Sequence, residues 1–174
     1  FAACCGVLSG IGGACLALIL HWVQHVAYGY SLDRIIGPES FLQGVSNAAP
    51  LRRLFVLCVC GSVAGFGWYG LARYGRRLVP IRSATDRQIM PLIETVIHAL
   101  LQIVTVALGS PLGREVAPRE LGALLAQRFL IHKNITADQY RILISCGAGA
   151  GLAAVYNVPI AGTVFIMEVM LKSA

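Results

Sequence analysis

Apolar positions dominate four long stretches of the chain, at about 1–26, 51–74, 91–108 and 140–171. Runs of this kind reach or approach the roughly 20 residues a helix needs to cross about 30 Å of hydrocarbon. They predict helices. The alternation of apolar and polar residues that marks a half-buried strand is absent from them. A fifth piece, 119–131, is short and amphipathic. Composition supports the same conclusion. The 174 residues are 57% hydrophobic and 13% charged, with mean hydropathy +0.72. Ordinary soluble domains carry about 25% charge. The fold class is therefore all-α, a polytopic integral membrane protein whose outer solvent is lipid.

The helices are not simple rods. The first ends in His21-Trp22-Val23-Gln24-His25, which suits a membrane interface. His21 and His25 share a helix face at a spacing that fits a metal, but no third ligand is evident, so no metal site is assigned. The second carries Gly61, Gly65 and Gly67; the third carries Glu94 and His98. A break of glycine and proline follows at 109–118. The last stretch holds C-G-A-G-A-G-L-A-A at 146–154, then Tyr156-Asn157-Val158-Pro159, then a helix to about 171. Several pieces are too short to span, and the breaks fall at membrane depth. Irregular backbone is tolerated there only inside protein or along a cavity. Transporters build ion sites from such broken helices. The patterns at 6–10, 61–65 and 147–151 also read as small-xxx-small contacts that let helices approach closely.

Charge sets the orientation. The net charge is +6, but Arg73, Arg76, Arg77, Arg82 and Arg87 crowd one linker, with Asp86 as its counter-charge. The preceding linker, 29–50, has Asp33, Arg34 and Glu39. The positive-inside rule puts 73–88 in the cytoplasm, 29–50 outside, and residue 1 on the cytoplasmic side. That accounts for the basic stripe without nucleic acid. Arg128 and Lys133 flank a helix end near the headgroups. Cys4, Cys5, Cys15, Cys58, Cys60 and Cys146 lie in apolar segments with no CxxC pair, as small core thiols do. Residues 1–24 are too long for a cleavable signal peptide, and a chain starting at Phe1 reads as a piece of a longer one. Asn134-Ile135-Thr136 is a chance sequon.

The break reads G-S-P-L-G-R-E-V-A-P-R-E at 109–120. A helix starting near Pro118 leaves the N–H groups of Val116 and Ala117 open to an anion, since a helix amino end carries unpaired donors and partial positive charge. Glu115 places a carboxylate at the same spot. Protonating it, or moving it away, frees the site for a mobile anion. The alternative is a Glu115 that caps the helix or pairs with Arg114 or Arg119.

Here the chain resembles the CLC family of chloride channels and chloride/proton antiporters. Gly113-Arg114-Glu115 looks like the family's G-R-E-G-P motif. G-A-G-A-G-L-A-A-V-Y-N-V-P-I-A-G-T-V-F-I-M-E at 147–168 is similar to its G-A-A-A-G and A-F-N-A-P segment. The resemblance covers nearly all of 1–174 and implies the amino-terminal half of a CLC membrane domain: broken and tilted helices, one half of an inverted repeat. It implies an anion site at Gly113, Arg114, Glu115, Val116 and Ala117, with Glu115 as the gate. Glu168 matches the first acid of the family's I-E-E stretch. Val169 takes the position where antiporters carry a proton-relay glutamate and channels often carry valine, which leans toward a channel. It further implies a homodimer in a lipid bilayer, small anions and protons as the moving species, and no cofactor. Short linkers point to a bacterial inner membrane.

Departures are visible. Proline follows the glutamate by three residues instead of two, and Val116 replaces a glycine. The family's G-S-G-I-P serine motif is absent. The corresponding region runs from Leu78 to Thr85, where Ser83 is the available hydroxyl, left unassigned. Chloride is therefore expected, with fluoride or nitrate open. Two other classes compete. An intramembrane hydrolase would use Ser110 and His98, but the serine sits second in G-S-P-L-G, not third as a nucleophile turn requires, and no acid is evident to pair with His98. A non-conducting membrane subunit fits the missing serine motif.

Overall fold

The computed structural model describes residues 2–29 and 41–171, with backbone alone for 41–43 and 171. Phe1, 172–174 and residues 30–40, most of the predicted outer linker, lie outside the described residues. α1 (Ala2–Tyr28) and α3 (Pro50–Tyr74) are apolar helices of 27 and 25 residues, each long enough to cross a membrane. Between them lies the short α2 (Phe41–Asn47). α4 (Ile81–Thr85), α5 (Leu92–Ala107) and α6 (Val116–Leu130) follow. α7 (Ala137–Tyr156) and α8 (Pro159–Ile166) complete the set, and α8 runs into a π-helical turn, Met167–Leu171. Among the described residues there is no strand.

The surface is as apolar as the interior. α3 buries only Val56 and Cys60 and turns Leu51, Phe55 and Phe66 outward. Such a surface is an aggregation hazard in water and an ordinary one in lipid. At about 1.5 Å per residue, the 16-residue α5 spans only about 24 Å, short of the hydrocarbon.

The core is a close contact of α1, α6 and α7 on glycine. A Cβ on Gly13 would come 2.6 Å from the Gly151 carbonyl oxygen; one on Gly147 would come 2.7 Å from that of Gly122. Ser9, fully buried on α1, donates its hydroxyl to the Gly122 carbonyl at 2.8 Å. So the small-residue reading holds for 147–151. It does not hold inside this chain for 6–10 and 61–65: a Cβ on Gly6, Gly10, Gly61 or Gly65 meets nothing within 4 Å.

Three devices set the ends of α6 and α7. Buried Gln127 accepts from the Met90 amide and donates to the Gln88 carbonyl, both at 2.8 Å, which ties the second half of α6 to 88–90. Thr136 and Gln139 form a reciprocal capping box at the start of α7. Asn157, at φ 55°, ends it in the left-handed conformation, and Pro159 opens α8. At the carboxyl end of α1 Tyr28 donates to the Leu108 carbonyl at 2.9 Å, and Gly109 turns the chain at φ +100°. Tyr28→Phe deletes that buried bond and leaves its acceptor unpaired. It should cost about 1–3 kcal/mol, read as a lower unfolding temperature in detergent.

The predicted boundaries shift in two places. α6 starts at Val116 instead of near Pro118, because proline is accommodated at the third position as well as the first. And the linkers at 29–50 and 73–88 contain short helices, α2 and α4, below the length that hydrophobic periodicity can reveal.

Candidate functional site

The break between α5 and α6 covers 108–115. It brings the amino end of α6 beside the carboxyl end of α7: the Arg114 guanidinium sits over the Tyr156 ring at 5.0 Å. Arg119, one turn into α6, lies over Phe165 of α8 at 5.3 Å and donates through Nε to the Glu115 carbonyl oxygen at 3.1 Å. Both arginines thus keep their charge next to the start of α6 while their planes rest on rings.

Glu115 occupies the N-cap position, with φ −85° and ψ −30°. Its side chain is exposed and caps no backbone N–H. Among the described residues its carboxylate forms no ion pair: Arg114 and Arg119 are engaged as above. The bland alternative is therefore not what the geometry contains. In the first turn, Pro118 has no N–H to offer. The first-turn N–H groups are those of Val116, half-buried, and Ala117, fully buried. Gly113 is exposed, and a side chain there would meet nothing within 4 Å. The structure thus gathers Gly113, Arg114, Glu115, Val116 and Ala117 at one positive helix end with an unoccupied carboxylate. That arrangement can hold an anion or a proton; it contains no nucleophile–base pair.

A second polar group lies deeper. His98 Nδ1 of α5 and Glu120 Oε2 of α6 are 2.7 Å apart, with side chains only 14% and 18% exposed. This corrects the expectation that His98 has no acid partner. The partner is 22 residues away, in another helix, where no local spacing points to it. It gives no support to a hydrolase either, because Ser110 is not joined to the pair: its amide bonds to the Thr105 carbonyl. His21 is likewise satisfied locally, by the Ala17 carbonyl at 2.7 Å, and no group of three or more His, Cys, Asp or Glu forms a metal cluster among the described residues.

A model of the voltage-gated chloride channel family matches residues 55–174, which contain the break, α6, α7 and α8. The chain belongs to that family. A voltage-gated ClC-type chloride channel ClcB of Citrobacter koseri is 30% identical over 140 residues, 75% of this chain and 32% of the relative. A ClcB of Escherichia coli O139:H28 shows the same identity and coverage. A putative ClcB-like chloride channel protein of Ralstonia nicotianae is 28% identical over 181 residues, 96% of this chain and 38% of the relative. The chain thus spans about a third of the length of the curated relatives it matches. No solved structure matches it. The family is one of chloride channels, integral membrane proteins and not enzymes, and membership agrees with the helical, strand-free described residues.

The remaining chloride-channel positions fall away from Glu115. Ser83 lies on α4, which packs through Ala84 in one cluster with Leu124 and Leu130 of α6 and Ile144 of α7. Glu168 and Val169 are exposed on the π-helical turn after α8.

Proposed function

We propose that the protein carrying this chain moves chloride, or another small monovalent anion, across a bacterial inner membrane through a site at the amino end of α6. The reading rests on one observation above others: the Glu115 carboxylate stands without a cap or an ion pair at the positive amino end of α6. A carboxylate there is an anion in the anion site. Deprotonated, it occupies the site and opposes entry. Protonated or displaced, it yields the site to a mobile ion. Arg114 and Arg119 keep the local field favourable to the incoming charge.

The chain is read as the amino-terminal half of the membrane domain. The remaining half supplies the rest of the pathway, as two inverted halves do in other transporters, and two copies form the working dimer. Val169 favours a channel over a chloride/proton antiporter, because valine holds no proton. Ser83 and Glu168 are the further candidates, and neither is given a role. Chloride, not a bound cofactor, is the ligand.

The test is chloride efflux from liposomes that carry the full-length parent, recorded together with external pH. Efflux without proton movement supports the channel. Efflux that drives protons against their gradient supports the antiporter. No flux of chloride, fluoride or nitrate would overturn the transport reading and favour a non-conducting subunit.

A further inference from the structure

His98 is the most completely equipped titratable group in the membrane part of this chain. On one side Nδ1 is 2.7 Å from Glu120 Oε2. On the other, Gln102 Nε2 is 3.4 Å from His98 Nε2. Nδ1 faces an acceptor and so carries the hydrogen. Nε2 faces an amide donor and so is bare. The ring is thus held between a carboxylate and an amide. The other end of the same amide, Gln102 Oε1, is buried with no partner. An unpaired buried carbonyl is costly.

That oxygen has a use. When a proton from water adds to Nε2, the new N–H needs an acceptor. A half-turn of the Gln102 amide exchanges its NH2 and its oxygen, and presents Oε1 to Nε2–H. Nδ1–H continues to donate to Glu120, whose negative charge now faces an imidazolium. One proton is bound, one positive charge is gained, and both ring nitrogens stay hydrogen-bonded in either state. We propose that His98, with Glu120 and Gln102, is a proton-binding site within the membrane. It is distinct from Glu115, which lies five residues, about 7.5 Å along α6, from Glu120. Ionisable groups inside membranes are costly and mark functional sites by default.

The surrounding charges are turned elsewhere. On α5, Glu94 accepts from the Arg76 amide. On α3, Cys60 faces the Thr105 carbonyl, and Arg73 lies in the exposed last turn. On α1, His21 is bound to its own helix. On α6, Arg119 is held by the Glu115 carbonyl and Phe165, and Arg128 donates to the Met90 carbonyl. The Trp68 ring meets the His98 ring edge-on at 6.4 Å. The same indole lines a cavity of about 400 Å³ with Leu71, Gly75, Arg76, Arg77 and Leu78.

Trp68 is also the reporter, since a nearby imidazolium quenches indole emission and a neutral imidazole does not. In the reconstituted full-length parent, the Trp68 signal is the difference between the protein and its Trp68→Phe variant. The site predicts that this signal falls on acidification. His98→Asn keeps an N–H donor toward Glu120 but cannot titrate there, and should abolish the change. Gln102→Leu removes the waiting acceptor and should weaken it. A Trp68 signal flat with pH in the unmutated protein would overturn the site, as would a titration unchanged in His98→Asn. The effect on flux rests on the transport reading: His98→Asn should remove one component of the pH profile of chloride efflux and leave the Glu115 component. Titration of Trp68 in a protein that passes no anion would support the proton site and overturn the transport reading alone.

Discussion

Alanine at position 151 should leave the protein unable to hold its native packing. The added methyl would meet the carbonyl oxygen of Pro118, which is backbone and has no rotamer to give. The same holds for Gly122→Ala against the Gly147 carbonyl. Overpacking typically costs 1–3 kcal/mol when side chains can move; here two helices must separate, so a loss of about 3 kcal/mol or more is expected. Separation would also break the Ser9 bond to the Gly122 carbonyl and displace Pro118, two residues beyond Val116. The measurement is monodispersity and unfolding temperature in detergent, with Gly61→Ala as the comparison, because a methyl at 61 meets nothing within 4 Å of this chain. Alanine at 61 replaces a poor helix former with the best one and should change stability by no more than about 1 kcal/mol. Equal behaviour of the three variants would show that the α1–α6–α7 contact is not what holds the site.

The second large effect concerns Glu115. Glu115→Gln places a neutral amide of the same shape at the N-cap. If the carboxylate competes with the anion, flux in the unmutated protein rises as external pH falls, because protonation empties the site. One titrating group can change the response by at most about tenfold per pH unit. The glutamine variant should conduct at the high, acid-like level at every pH, with its dependence reduced to what His98 contributes. The sign matters: a variant locked at the low level would mean that the carboxylate assists the anion and does not block it. Glu115→Asp, one methylene shorter, should retain the pH response while altering its midpoint, which separates charge from mere bulk.

How much of this was legible in the residues differs by element. The long helices were plain, since α1 and α3 are unbroken apolar runs whose lipid-facing residues need no periodicity. The break at 108–115 was plain too, because glycine and proline punctuate it. Glu115 was found from its place between them. The start of α6 was misjudged by two residues, since a proline in a first turn does not say which position it takes. α2 and α4 have five to seven residues, too few to show a period. The glycine contacts were half legible: spacing identified 6–10, 61–65 and 147–151 alike, but only tertiary placement decides which glycines meet a backbone. His98–Glu120 was the largest omission. Each residue was visible on its own, and only the crossing of α5 and α6 joins them.

The central claim is that the Glu115 carboxylate and a mobile anion compete for one site. Calorimetric titration of chloride onto the detergent-solubilised full-length parent, at a pH where Glu115 is ionised, tests it without any assay of flux. Glu115→Gln should bind chloride at least about tenfold more tightly than the unmutated protein, or bind one further anion per subunit. Identical affinity and stoichiometry in the two proteins would mean that the carboxylate does not occupy the anion site, and the gate assigned to Glu115 would be wrong.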